Sequence, residues 1–228
     1  CRSRQLAVTV LNNFLHSAYS SIAEFANSEF AKTVRILNTE SRGALTDTLS
    51  RGICGWSSSE DCPFISSEYF GSTHKSGQFY YYRKQNKHVR HEDLRSTSFE
   101  DSSLDLILST EVFEHIPNPY IAFQEIHRIL KPNGMHIFTV PFNVNAKEDE
   151  VYAELVDGEL RWKGEPLYHL DSMRVEGVPV FQIFGQEMAS KLCKIGFKVE
   201  VKKIHNMPSV GILGEGAIVF TLVKIDVS

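Results

Sequence analysis

The sequence predicts an α/β protein built on a doubly wound, mostly parallel sheet. Three observations carry that expectation. Apolar runs such as "LDLILST" (104–110) are too short for helices and too continuous for half-exposed strands, so they read as strands buried on both faces. These runs alternate with helical periodicities or long connections, the pattern of parallel pairing. Acidic residues follow the strand ends, where an open parallel sheet places its ligand cleft.

Taken in order, "CRSRQLAVTVLNNFLHSAYSS" sets Leu6, Val10, Leu11, Phe14 and Leu15 at helical spacing. Asn12 and Asn13 interrupt the run and no small-residue cleavage pattern follows, so the expectation is an amphipathic helix rather than a signal peptide. Residues 1–32 are thus expected as an N-terminal helical segment ahead of one domain spanning 33–228. "TVRILNTE" (33–40) is a first strand, and "SRGALTDTLSRG" turns into a helix with Leu45 and Leu49 on one face. "PFISSEYF" (63–70) is a second strand, "HVRHEDL" (88–94) a third, and "LDLILST" a fourth. Pro117, Asn118 and Pro119 stop that strand and start a helix, on which Ala122, Phe123, Ile126, Ile129 and Leu130 recur at threes and fours. "KPNG" (131–134) ends the helix and "MHIFTVPF" is the fifth strand.

The C-terminal part predicts a helix in "FGQEMASKLCKIGF", closed by Gly196, then the strands "KVEVKKI" and "AIVFTLVK". Only the loop "PSVGILGEG" separates those strands, which implies an antiparallel pair at the sheet edge. An insertion at about 143–180 turns at Asp157-Gly158 and reads as a hairpin or lid, with Phe181 and Phe184 assigned to the core.

Composition narrows the function. The 228 residues suit one α/β domain or a domain with an insertion, and 42% hydrophobic content supports a real core. A net charge of −4 gives no general attraction to nucleic acid, and no apolar run approaches the roughly 20 residues of a membrane span. "YYYRKQNKHVRH" mixes tyrosines with bases, a combination that can stack on single strands. In an acidic chain it reads instead as a solvated loop or substrate-side flap. Cys1, Cys54, Cys62 and Cys193 are scattered, giving no zinc spacing and no disulfide framework, so a reducing, cytoplasmic setting is expected. His88, His91 and Glu92 suggest a metal, but strand alternation sends the two histidines to opposite faces, and no metal is expected.

The strand ends carry the candidate site. Glu40 closes the first strand, Glu68 nearly closes the second and Asp93 closes the third; Ser109, Thr110 and Glu111 stand at the same level on the fourth. Loops are polar and collect carboxylates for that reason alone, but the ordered set argues for more. A carboxylate after the second strand suits the two hydroxyls of a ribose. One after the third suits an adenine amine, with Leu94 against the ring. The ligand therefore reads as a nucleoside-containing cofactor. Glu114 and His115 are either an acid–base pair or a cap with packing duties. Tyr168, His169 and Asp171 in "EPLYHLD" offer an alternative base, hanging over the cleft if the insertion is a lid.

Residues 89–142 also resemble the type 11 domain of the class I S-adenosylmethionine-dependent methyltransferases. The shared blocks are Asp93-Leu94 ahead of Ser98-Phe99, the strand running into Glu114-His115-Ile116, and the "ILKPNG" turn. The resemblance implies a Rossmann-like sheet of seven strands with the last antiparallel, and S-adenosyl-L-methionine as cofactor. It places Glu40 and Gly43 near the methionyl part, Glu68 on the ribose, Asp93 and Leu94 on the adenine, and Ser109 and Glu111 facing the methyl, with Ser41 and Thr110 as further cofactor-binding candidates. His115 and His169 join Glu111 as catalytic candidates. The acceptor implied is a small or medium-sized molecule. The first loop, "ESRGAL", has one glycine where the family has two or three, and this favours an alternative: a non-catalytic methyltransferase-like binding or scaffold module. A nicotinamide-dependent oxidoreductase would need G-x-G-x-x-G after the first strand, which is absent.

Overall fold

The computed structural model describes residues 2–55, 62–170, 177–210, 212 and 216–225. Its centre is one eight-stranded sheet. Strands β1 (Ile36–Asn38), β2 (Phe64–Glu68), β3 (Phe79–Tyr82), β4 (Lys87–His91), β5 (Leu104–Thr110) and β6 (Leu130–Thr139) come from the first two thirds of the chain. Short pairings in the insertion supply β7 (Glu150–Val151), β8 (Ala153–Val156), β9 (Glu159–Trp162), β10 (Tyr168–His169), β11 (Val178–Pro179) and β12 (Gln182–Ile183). Strands β13 (Phe197–Lys203) and β14 (Ile218–Lys224) complete the sheet, in the order β13-β14-β6-β5-β1-β2-β4-β3. The neighbours from β6 to β4 pair in parallel, and β14 runs antiparallel to both β6 and β13, as the sequence implied.

The expected count of seven is corrected to eight by β3. It lies antiparallel to β4 at the edge, inside the aromatic–basic stretch that read as a loop. Its "FYYY" alternates exposed and inward side chains, ending on a buried Tyr82, and Asn86 at φ +50° closes the hairpin. Strand β1 is shorter than expected because Asn38 turns its amide onto the Glu40 carbonyl and the Thr46 hydroxyl, starting the loop early. "KPNG" is not a free turn but an irregularity inside β6, where pairing with β5 slips between Leu104 and Leu106.

Helices cover both faces because successive strand residues point opposite ways. On one side α1 (Arg2–Thr9), α2 (Ile22–Ala26) and α3 (Ala44–Cys54) bury Leu6, Phe25, Leu49 and Ile53 against Ile36, Leu106, Leu108 and Ile137. On the other, α4 (Pro119–Ile129) and α5 (Glu187–Ile195) bury Phe123, Ile126, Met188 and Leu192 against Leu37, Ile107, Phe138 and Phe220. Pro119 begins α4 and Gly196, at φ +114°, ends α5. The insertion holds the expected hairpin: β8 and β9 meet at Asp157-Gly158, both at positive φ. Phe181 and Phe184 are buried.

Cys54 and Cys62 are joined in a disulfide, Cα atoms 5.6 Å apart, across the connection from α3 to β2. This pairing runs against the reducing setting expected from the cysteine spacing, because disulfides persist mainly in oxidising compartments. Cys1 and Asp171 lie outside the described residues. Among those residues no helix is long and apolar enough to cross a membrane.

Candidate active site

The chain leaves β1 outward to β2 and β4, then returns across β1 to β5 and β6. The strand order therefore reverses between β1 and β5, and there a parallel sheet opens a crevice at its carboxyl ends. Glu40 follows β1 at this point. Burial pushes the Glu40 pKa up to about 7, against the favourable influence of the Thr110 side chain at the end of β5. Glu68 ends β2 on the other side of the first loop and is coulombically coupled to Glu40.

The first loop between them is held from within. Ser41 is buried; its backbone N–H (3.1 Å) and its hydroxyl (2.8 Å) both donate to Glu68 Oε1. Gln85 donates its amide to the Ser41 hydroxyl at 2.7 Å, and Lys87 donates to the Ser41 carbonyl at 3.0 Å. Gly43 sits at φ +118°, open to a glycine and strained for other residues, and nothing lies within 4 Å of where its Cβ would be. Arg42 is exposed, and its charge opposes the upward shift of the Glu40 pKa. Ser41 is thus a strut for Glu68, and Gly43 is the bare face of the loop.

Asp93 and Leu94 stand beyond Glu68. The Arg95 guanidinium grips the Asp93 carboxylate in a fork of 3.0 and 2.7 Å and holds its pKa below the usual range against the opposing effect of burial. Leu94 is buried among core residues, and Tyr69 stands exposed beside the His91 ring, 5.4 Å away.

Ser109 does not reach the crevice. Its hydroxyl bonds His136 Nε2 at 2.8 Å in the core beneath α4, where burial pushes the imidazole down to about 3. Adjacent strand residues face opposite ways, so Thr110 at the rim excludes Ser109 from it.

On the β5 side the rim is acidic and aromatic. Glu111 adopts φ +53°, a region sparsely used by non-glycine residues and enriched at functional positions. Burial and the nearby Glu114 raise its pKa, and Arg2, arriving from α1, pairs with it at 3.2 Å. Glu114 is fully buried. The insertion reaches this corner twice: Phe181 N–H donates to the Glu114 carbonyl at 2.7 Å, and His115 Nδ1 meets the Pro179 carbonyl at 2.8 Å. His169 on β10 brings its ring to 5.1 Å from that of His115, nearly perpendicular, with its pKa raised by Glu114. The structure therefore brings Glu40, Ser41, Gly43, Glu68 and Thr110 together, with Glu111, His115 and His169 beside them. Sequence reasoning missed Arg2, Gln85 and Lys87. The last two lay within "YYYRKQNK", whose basic run was the available signal.

Comparison with known proteins fits this arrangement. The family model of the methyltransferase domain matches residues 71–138. No curated protein matches the chain. Among solved structures, a protein from Listeria monocytogenes assigned as an S-adenosylmethionine-dependent methyltransferase has 12% identity and a TM-score of 0.50, over 88% of this chain and 95% of its own. An S-adenosylmethionine-dependent methyltransferase from Mesorhizobium loti has 14% identity and a TM-score of 0.46, over 84% and 91%. The 1,6-didemethyltoxoflavin-N1-methyltransferase of Burkholderia thailandensis, solved with S-adenosylhomocysteine, has 12% identity and a TM-score of 0.46, over 98% and 87%. At 12% identity the likeness to the first of these, at a TM-score of 0.50, speaks for the fold alone.

Proposed function

We propose that the chain binds S-adenosyl-L-methionine at the β1/β5 crevice and transfers its methyl group to a small or medium-sized acceptor. The observation that carries this reading is the placement of Glu40 and Thr110 at the carboxyl ends of β1 and β5, where strand order reverses, with Glu68 at the end of β2 alongside. The residues suit the cofactor: a bare Gly43 faces open space, and carboxylates flank it at the ends of two adjacent strands. Gly43 and Glu40 would hold the methionyl part, Glu68 the ribose, and Asp93 with Leu94 the adenine. For Asp93 to accept from the adenine amine, the Arg95 fork must share it.

The sulfonium supplies a methyl already activated for displacement. The protein's own task is then alignment and proton management. Thr110 favours the ionised Glu40 carboxyl at the rim. Glu111, held in a strained backbone beside the crevice, takes up the acceptor's proton where one is released, and His115 and His169 line the acceptor side. The β8–β9 hairpin and its neighbours act as a lid that shapes the acceptor pocket.

Calorimetric titration with S-adenosylhomocysteine tests the reading. Binding by the wild type, weakened at least about tenfold by Glu68→Ala through loss of charge-assisted hydrogen bonds, is the expected result. A folded protein with no affinity for either S-adenosylmethionine or S-adenosylhomocysteine would establish the non-catalytic module instead. Mass spectrometry of co-purifying small molecules gives an independent readout.

A further inference from the structure

Glu114 is a buried carboxylate that the methyl-transfer reading leaves without a role. Among the described residues neither of its oxygens has a hydrogen-bond partner, although the side chain is fully buried. Removing a carboxylate from water without hydrogen bonds is among the costlier things a fold can do, and it persists where a cation compensates. Two imidazoles face it. His115 Nε2 lies 3.6 Å from Glu114 Oε1, and His169 Nδ1 lies 3.5 Å from the same atom. Those separations are too long for direct hydrogen bonds. They match the roughly 3.3–3.4 Å between donor atoms that each stand about 2.0–2.1 Å from a tetrahedral ion. One donor atom from each of the three residues falls within 4.8 Å of the others.

The orientation of His115 points the same way. A carbonyl can only accept, so at 2.8 Å from Pro179 O the Nδ1 carries a proton, and Nε2 is the nitrogen turned toward Glu114. Metal-ligating histidines are commonly fixed by such a bond from the other ring nitrogen to a backbone carbonyl. The arrangement spans distant parts of the chain: Glu114 and His115 follow β5, while His169 arrives from the insertion on β10, which pairs with β11 next to Pro179. No short spacing in the sequence announces it, which is why the sequence led to no metal here.

We propose that Glu114, His115 and His169 form a binding site for one divalent transition-metal cation, with the imidazole and carboxylate donor set that suits zinc. Three protein ligands leave a fourth tetrahedral position, as catalytic rather than structural zinc sites do. The site adjoins Glu111 on the acceptor side of the crevice, so the fourth position would take an oxygen of the acceptor, a hydroxyl or carboxylate. That last step rests on the methyl-transfer reading; the cation site does not.

Wild-type protein stripped with a chelator is titrated with Co²⁺, read by its visible absorption, and with Zn²⁺ by competition. The expected result is one equivalent per chain with a tetrahedral cobalt spectrum, weakened at least about tenfold in Glu114→Gln and His169→Ala, since loss of a ligand costs at least what loss of an outer-shell partner does. His88→Ala, on the exposed side of β4, should bind as the wild type does. Equal affinity in wild type and His169→Ala, or no binding at all, would overturn the site. If Glu114→Gln fails to fold, the half-exposed His169 decides alone. Titrating the stripped wild type with S-adenosylhomocysteine separates the two readings. Cofactor binding in a protein that takes no cobalt removes the metal site and keeps the function; cobalt binding without cofactor does the reverse.

Discussion

Glu92, just after β4, and Glu114, after β5, both have side chains at 0% exposure. Around Glu92 every neighbour is a donor: Arg90 Nε at 2.8 Å and Ser98 Oγ at 2.6 Å reach Oε1, and Ser98 N–H reaches Oε2 at 2.9 Å. Around Glu114 the neighbours are two imidazole rings just out of hydrogen-bond range. The Glu92 corner fastens the turn from β4 toward β5 and needs nothing more. The Glu114 corner is held open by the backbone of the insertion and asks for a positive charge. Burial alone therefore says little about a carboxylate; what it is buried against separates a structural role from a binding one.

The strongest way to break this comparison is to replace each carboxylate by methionine in metal-free protein and measure stability by urea unfolding. Glu92→Met should cost about 3–5 kcal/mol, because it strands the Arg90 guanidinium and the Ser98 donors. Glu114→Met should cost much less, because it removes a charge with no hydrogen bonds to lose and only two imidazole neighbours at 3.5 and 3.6 Å. Two losses of similar size would mean that the two corners are alike, and the argument from orphaned oxygens would fall.

Glu40 sharpens the comparison as an intermediate case, a partly buried carboxyl at the rim. Its folded pKa of about 7 lies above the ordinary 4.5. Between those values the folded state keeps a proton that the unfolded chain has lost, so stability falls as pH rises from about 4.5 to 7 and stays reduced above. The contribution is at most about 3 kcal/mol. Glu40→Gln should abolish that slope: thermal melts of variant and wild type come together below about pH 4.5, and the variant melts higher at pH 8. A wild type whose own melting temperature rises from pH 5 to pH 8 by as much as the variant's would show Glu40 ionised throughout.

Much of this was legible in the sequence, and the reasons are physical. The runs that became β5 and β6 and the three–four periodicity of α4 are signals of burial, and burial is what the central sheet imposes. Glu40, Glu68, Thr110 and Glu111 were legible because topology puts strand ends at one rim. Edge strand β3 was not, since half of its aromatic side chains face solvent and its alternation runs over four residues. Placing Ser109 with Thr110 ignored the two-residue period that separates them. Arg2 on Glu111, Gln85 on Ser41 and Pro179 on His115 could not be foreseen, because contacts across such sequence distances leave no local pattern. The Cys54–Cys62 pair was hidden for a related reason: its geometry comes from the α3-to-β2 connection, not from its spacing.

The smallest expected effect asks whether the first loop helps or hinders its ligand. Ser41 gives Glu68 Oε1 two hydrogen bonds, one from backbone and one from the hydroxyl, and Glu68 is the carboxylate proposed for the ribose. Ser41→Ala removes the hydroxyl bond and keeps the backbone one, so Glu68 stays in place with an acceptor site released. A single neutral-to-charged hydrogen bond traded for one to ligand is worth about 0.5–1 kcal/mol, so S-adenosylhomocysteine should bind about two- to fivefold more tightly. Unchanged melting temperature would show that the loop has kept its shape. Weaker binding in that folded variant would mean that the hydroxyl aligns Glu68 for its ligand, and the serine would then be part of the grip.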